Sequence, residues 1–541
     1  MGQAELLTAP SRPDHGHGEG PSGCSSVTSA WRCGAAIGHG GPAPAESQQV
    51  RDVNGRRCMS VRDNTRPFAT VRHDELVKPL PTERTSMTIT PDRRVEEHYR
   101  ALERHWLVQD GANDYGRLVT PTGNSDQPIH RWFHLKEGFS HALLLRVVKD
   151  LEMANNESPR ILDCFAGGGT TLVSAAELAA SGATSVHVRG VERNPFLHLV
   201  ASVKASASSS ALPGLESRII DTLPEVERRY KKKLSNTHQI PELATWRNAQ
   251  YFNGDRRHEL LSLRSAVGTF TNSDVSEILL FAAAATVESC TQLRKDGRAL
   301  RYQPTKIPRE PWREFTRRLG EIVLDLSKRS RVNVDSLVVL GDGRRPDLCL
   351  PANADPYDLI VFSPPYPNNI DYTEVYKLEG WFLGAYGNHR EFREQRLSTV
   401  RSHSSIASSG GYRFLDSESH SEVQDLLSPI LCGVPQDRYL RARRAMINGY
   451  ADDMLSTLTA CRQLINSNGA LVFVVGNSVH GTKQPFIVAA DLLIARLGEL
   501  CGWHVREIRP ARYPRRRRIE SNFVRESIVV LEPESDWTGQ R

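Results

Sequence analysis

The chain has 541 residues, nine cysteines and a formal charge of +6 at neutral pH. That length leaves room for two or three domains and a large core. No apolar run is long enough to span a bilayer, and the first residues lack the apolar stretch of a secretory signal. The cysteines show no paired spacing, which points to reduced thiols in a cytoplasm and away from a disulfide framework. The mild positive charge suits a polyanionic partner without requiring one.

Residues 1–86 are rich in Gly, Ser, Pro, His and Arg and carry little apolar periodicity. Such a segment buries too little surface to offset its ordering entropy, so disorder is expected there. Its Cys24, Cys33, Cys58, His15, His17 and His39 match no finger or ribbon spacing, and no metal site is expected. Met87 precedes the helical "DRRVEEHYRALERHWL" and is an alternative start. Residues 87–204 then hold N-terminal helices and the first half of an α/β domain. "RILDCFA" is a short strand ending in a glycine turn, "TTLVSAAELAASG" a helix, and "TSVHVRGVE" a second strand. Residues 205–335 look largely helical and too long for an ordinary crossover, so they read as an insertion. "VDSLVVLGD" and "YDLIVFS" supply the third and fourth strands within 336–384, and a polar second insertion follows at 385–447. From 448 to 535 come the helix "YADDMLSTLTACRQLI", the strand "ALVFVVGN", the helix "PFIVAADLLIARLGEL", and the strands "WHVREIR" and "ESIVVLE". Alternating strands and helices imply an α/β fold with a mostly parallel sheet covered on both faces. The last two strands have no helix between them and are expected as antiparallel neighbours at one edge.

The turn "DCFAGGGTTL" (163–172) opens a helix, so its amides can face an anionic group. A dinucleotide fingerprint would need glycine where Leu172 stands, and a P-loop would need Gly-Lys-Ser/Thr. The turn therefore permits close approach without gripping a diphosphate. Glu192 ends the second strand about 20 residues later, where an acid accepts both hydroxyls of a ribose. Asp342 ends the third strand on the same sheet edge, placed to meet an adenine. A nucleoside site with no phosphate grip fits S-adenosylmethionine (SAM).

After the fourth strand comes Ser363-Pro364-Pro365-Tyr366. The prolines cannot continue a central strand, so the chain turns rigidly there. With Phe165-Ala166-Gly167-Gly168-Gly169, this elbow resembles the SAM-dependent amino-methyltransferases of DNA, over roughly residues 125–535. The resemblance implies a Rossmann-like SAM-methyltransferase fold, with a mostly parallel seven-stranded sheet, an antiparallel edge strand and a helical insertion. It implies cofactor contacts from Asp163, Phe165, Gly167, Gly169, Thr170, Glu192 and Asp342, and from Phe139 in the "HRWFHLKEGFS" segment that closes over the cofactor. It implies catalysis by Ser363, Pro364, Pro365 and Tyr366 on a base flipped out of double-stranded DNA, with no metal. Two acceptors, the Ser363 hydroxyl and the Pro364 carbonyl, would draw an exocyclic amine toward a tetrahedral nucleophile while Tyr366 stacks on the ring.

Serine at the first elbow position resembles the N4-cytosine members more than the N6-adenine members. N6-adenine methylation of DNA, amino-methylation of transfer or ribosomal RNA, and a SAM-fold nucleic-acid binder without turnover are the alternatives. Asn368, Asp371, Tyr372, Gly476 and Asn477 are further candidates at the base pocket, each equally placed for a loop or core role. Residues 205–335 are the candidate target-recognition region, with 385–447 beside them. The tract Arg515–Arg518 is a candidate phosphate contact.

Overall fold

A computed structural model describes residues 92–535, apart from 154–155, 210–212, 272, 297–298, 329–331, 353, 369, 406–410, 418, 482–483 and 515–518. The expected N-terminal disorder, the Met87 start, the cysteine and histidine set before residue 60 and the arginine tract all lie outside the described residues. So does the tail after 535. Among the described residues no helix is long and apolar enough to cross a membrane.

Seven strands form one sheet: β1 (Arg160–Asp163), β2 (Val186–Glu192), β3 (Val334–Leu340), β4 (Tyr357–Phe362), β5 (Ile465–Gly476), β6 (Trp503–Arg512) and β7 (Glu526–Pro533). Their spatial order is β6-β7-β5-β4-β1-β2-β3. All neighbours from β5 to β3 run parallel, whereas β7 is antiparallel to both β5 and β6. The expected helix-free connection thus yields the antiparallel pair at the edge. Chain order reverses between β1 and β4, so a crevice opens outside their carboxyl ends, where α/β sheets bind ligands.

The apolar strands alternate cleanly between two covered faces. Leu162, Ile360, Phe362, Leu471, Phe473 and Val475 point to the face covered by helices His420–Cys432, Leu440–Leu464 and Ala490–Glu499. Ile161, Leu359, Val361, Val472 and Val474 point to the other, covered by helices Ala142–Asp150 and Thr170–Ala180. A third core belongs to the helices Pro195–Ser208, Leu215–Lys233, Arg256–Val267, Asp274–Thr286 and Pro311–Lys328. The predominantly helical reading of 205–335 corresponds to this module, with one small hairpin inside it.

Three details depart from the expected elements. "PFIVAADLLIARLGEL" is not one helix: Phe486–Val488 pairs antiparallel with Ser478–His480, and the helix starts at Ala490. Buried Tyr99 fixes that strand by donating to the Ile487 carbonyl at 2.9 Å. The helix expected from Tyr450 begins at Leu440 and so crosses the boundary drawn at 447. The second insertion is also less peripheral than its polarity suggests, because Phe414, Val423, Leu426, Leu427 and Ile430 enter the sheet core.

Candidate active site

β1 ends under the glycine turn. The Asp163 side chain is 2% exposed, and it accepts the Phe165 amide at 2.9 Å and the Thr171 hydroxyl at 2.5 Å. Burial lifts its carboxyl to about 6, against the pull of these two donors. Asp163 thus lies beneath the turn and shapes it. Gly169 takes φ +78° and precedes the helix Thr170–Ala180, whose first amides have no side-chain cap. A side chain there would be strained and would strike the Ala201 backbone at 2.9 Å, so glycine is required.

β2 brings Glu192 to the same rim. Its carboxylate accepts the Gly167 amide and the Asn194 amide, each at 2.7 Å, which fixes it against the turn. Burial raises its carboxyl to about 7 despite those donors. β3 delivers Asp342, whose carboxylate is clamped by Arg344 at 2.7–3.1 Å. Burial alone would raise the Asp342 carboxyl, but Arg344 holds it below the ordinary range. Gly343 then packs so tightly on β1 that an added Cβ would overlap the Cys164 carbonyl oxygen.

β4 leads into the elbow. The Phe165 and Phe362 rings meet edge to face with centroids 5.4 Å apart, so the glycine turn and the residue before Ser363 are in contact. Ser363 donates its hydroxyl to Tyr366 Oη at 3.2 Å, and Tyr366 donates to Glu526 Oε1 at 2.8 Å. Glu526 opens β7 and is buried, which raises its carboxyl although Arg512 Nε stands 3.0 Å from Oε2. Burial, then the neighbouring Glu526, pushes the Tyr366 phenol well above its ordinary value, so it stays a donor. With the Ser363 proton directed at Tyr366, both Ser363 lone pairs remain for an incoming donor. Among the described residues no hydrogen bond ends on the Pro364 carbonyl, leaving a second acceptor next to the first.

The structure separates the remaining candidates. Phe139 is 6% exposed in the core with Ala166 and Leu172. The side chain lying over Gly167 and Gly168 is instead Leu135, three residues past Trp132. Phe165 and Thr170 are partly exposed at the rim. Gly476 backs the Tyr366 ring, where a Cβ would lie 2.8 Å from it. Asn477 bonds to Asp491 and caps the next helix. Asp371 caps the helix Tyr372–Val375 and pairs with Arg396, while Asn368 bonds within its own loop. Tyr372 is partly exposed, and desolvation of its hydroxyl, then the neighbouring Glu137, raises its phenol. Leu135, Glu526 and Arg344 were not singled out from sequence. Glu526 left the clearest signal, as an acid opening the apolar run "RESIVVL".

One histidine pair also stands near the turn. Glu177 Oε2 lies 3.1 Å from His141 and Oε1 lies 3.3 Å from His130, tying the segment before β1 to the helix Thr170–Ala180.

No family model matches the chain. It is 26% identical over 428 residues to the type II methyltransferase M.AvaI of Nostoc sp. and of Anabaena variabilis, covering 72% of this chain and 82% of theirs. It is 25% identical over 376 residues to the type II methyltransferase M.BsoBI of Geobacillus stearothermophilus, covering 60% of this chain and 66% of that one. The rRNA methyltransferase AviRa of Streptomyces viridochromogenes aligns over 73% of this chain and 84% of its own, with 10% identity and a TM-score of 0.25, too low an overlap to carry weight. A glycine turn, an acid fixed against it and a Ser-Pro-Pro-Tyr elbow thus stand on one rim of a chain that is similar over most of its length to type II methyltransferases.

Proposed function

We propose that the protein methylates N4 of cytosine in DNA at a specific sequence, with the target base turned out of the duplex. The observation that carries this reading is the Ser363–Tyr366–Glu526 chain beside the glycine turn. What supports SAM is the rim's chemistry: the Glu192 carboxylate is fixed beside the glycine turn by two backbone amides, and the helix that follows opens with amides that no side chain caps. Gly167, Gly169, Thr170 and Phe165 would line that cofactor, Glu192 would hold its ribose, and Asp342 would face its adenine. SAM, when bound, supplies an electrophilic sulfonium methyl.

The protein's own work is then to expose a nitrogen lone pair. A cytosine amine is conjugated with its ring and is a poor nucleophile. Ser363 Oγ accepts one N–H and the Pro364 carbonyl the other, which favours a tetrahedral nitrogen. Pro365 keeps that carbonyl aimed, and the Tyr366 ring offers a stacking face worth about 1–3 kcal/mol. The hydrogen that must leave nitrogen already points at Ser363, whose own proton points through Tyr366 to a carboxyl with raised proton affinity. No covalent enzyme intermediate is required.

Serine at position 363 favours cytosine over adenine, and the reduced thiols of the buried cysteines accord with a cytoplasmic setting. The deciding experiment incubates the protein and labelled SAM with duplex DNA and with total RNA, then identifies the modified base. N4-methylcytosine in DNA is the expected product. Label on adenine alone would reassign the base, and label on RNA alone would reassign the substrate.

A further inference from the structure

A two-stranded hairpin, Leu293–Lys295 with Leu300–Tyr302, stands out from the helical module. Its pleat sends Leu293 (2% exposed) and Lys295 (6% exposed) inward and Arg294 outward. The register sets Arg294 directly opposite Arg301, and both are exposed. Like charges facing each other across a strand pair are destabilising, and an isolated two-stranded ribbon is marginal in water. Asp296 pairs with Arg301, but among the described residues no ion pair reaches Arg294.

The inward side explains how the ribbon persists. Lys295 pairs with the fully buried Glu379, stands 3.4 Å from Glu288, and lies 4.5 Å from the centre of the Tyr376 ring. Lys136 donates to the Lys295 carbonyl at 2.9 Å. Tyr376 in turn donates to Glu137 at 3.0 Å. Glu379 and Tyr376 belong to the chain that leaves the elbow, and Glu137 follows the segment lying over the glycine turn. The hairpin is therefore locked, through one buried lysine, to the wall of the catalytic cleft, while its arginine pair faces solvent.

We infer that this hairpin reads the target sequence: it enters the major groove beside the extruded base, and Arg294 and Arg301 take the O6 and N7 acceptors of guanines. The inference rests on the DNA-methyltransferase reading above. A major groove roughly 12 Å wide admits a two-stranded ribbon, and arginine to guanine is the commonest specific contact there. Rigid anchoring suits base reading, because a phosphate contact tolerates a mobile side chain whereas a bidentate one does not.

The test uses the full chain with SAM on amplified, unmodified bacterial genomic DNA, mapping modified sites by sequencing. Wild type is compared with Arg294→Ala, Arg301→Ala and Arg294→Lys. Calorimetric SAM binding, unchanged in all three, shows that each variant is folded. Each alanine variant is expected to lose discrimination at a G·C position of the wild-type motif. On a duplex carrying that motif, kcat/KM should fall roughly 10- to 100-fold. Arg294→Lys keeps the charge and should relax the motif nearly as far as alanine. An unchanged motif overturns the inference, whether rates are unchanged or fall uniformly with a weaker salt dependence, since the latter marks a phosphate contact only. Wild type that modifies RNA and leaves DNA untouched overturns the substrate reading itself, a distinct result.

Discussion

Replacing Glu526 by alanine should slow methyl transfer without loosening the cofactor. In the native site Tyr366 gives its proton to Glu526 at 2.8 Å, which obliges Ser363 to give its proton to Tyr366 at 3.2 Å. Without Glu526 the Tyr366 hydroxyl has Ser363 as its remaining acceptor, the chain reverses, and the Ser363 proton turns toward the amine it should receive from. One charge-linked acceptor is thereby lost at the reacting nitrogen, a cost of about 1.5–3 kcal/mol. That translates to roughly a 10- to 150-fold fall in kcat. The Arg512–Glu526 pair adds little to this figure, because Arg512 is half exposed and its charge is screened. Tyr366→Phe keeps the stacking ring and removes the relay, so it should fall in the same range, and the double variant should be no worse than the worse single one. The assay is single-turnover methylation with saturating SAM, alongside calorimetric SAM binding. If Glu526→Ala and Tyr366→Phe both kept wild-type kcat, the hydroxyl chain would have no part in the chemistry.

Three further outcomes follow from the rim. Free Glu192 titrates at about 7, above its ordinary 4.5, so its contribution to stability is full below about 4.5 and is lost as pH rises through 7. Ribose hydroxyls favour the ionised form, so SAM should bind about tenfold more weakly at pH 6 than at pH 8, with proton release at pH 6. Titrations in two buffers of unlike ionisation heat would detect the release, and a flat affinity would remove Glu192 from the ribose site. Gly476→Ala would place a Cβ 2.8 Å from the Tyr366 ring, and displacing that ring should lower kcat about 10- to 100-fold at unchanged SAM affinity. Gly343→Ala would press on the Cys164 carbonyl, so urea unfolding should show a loss of about 1–3 kcal/mol together with weaker SAM binding.

The strands that carry the site were legible because their chemistry is local. Leu359, Ile360, Val361 and Phe362 form a run buried on both faces, and two prolines mark its end within four residues. The same holds for Gly169, whose left-handed backbone is written in its residue type. Glu526 was not legible as a partner of Tyr366, because the two are 160 positions apart and meet only through the β5–β7 pairing. Leu135 was missed for a different reason: it stands among Trp132, Phe133 and Phe139, and nothing in that run marks which apolar side chain meets the turn. At Phe486–Val488 a short apolar run suits strand or helix equally, and the neighbour Ser478–His480 decides it. The Asp296-Gly297 pair did signal a hairpin within "LRKDGRALRY", but the helices around it dominated the reading.

The two insertions differ in what they can transmit to the elbow. The first has its own core, and that core includes Val375, Tyr376, Leu378, Trp381 and Phe382 from the chain just past Ser363–Tyr366. Trp246 of the module donates to the Leu378 carbonyl at 3.2 Å, and Lys295 pairs with Glu379. The second insertion joins the sheet core, and its Arg401 pairs with Asp452 and Asp453, the latter also holding Arg344 beside Asp342. One insertion is thus welded to the chain that leaves the elbow and the other to the Arg344–Asp342 pair at the end of β3. A duplex held by the first would be fixed relative to the elbow, because close packing has no slack to absorb a displacement. Placement to a fraction of an ångström is what direct transfer demands. The module leaves the chain in the crossover before β3, yet it packs on the residues after β4, which is the contact such coupling needs.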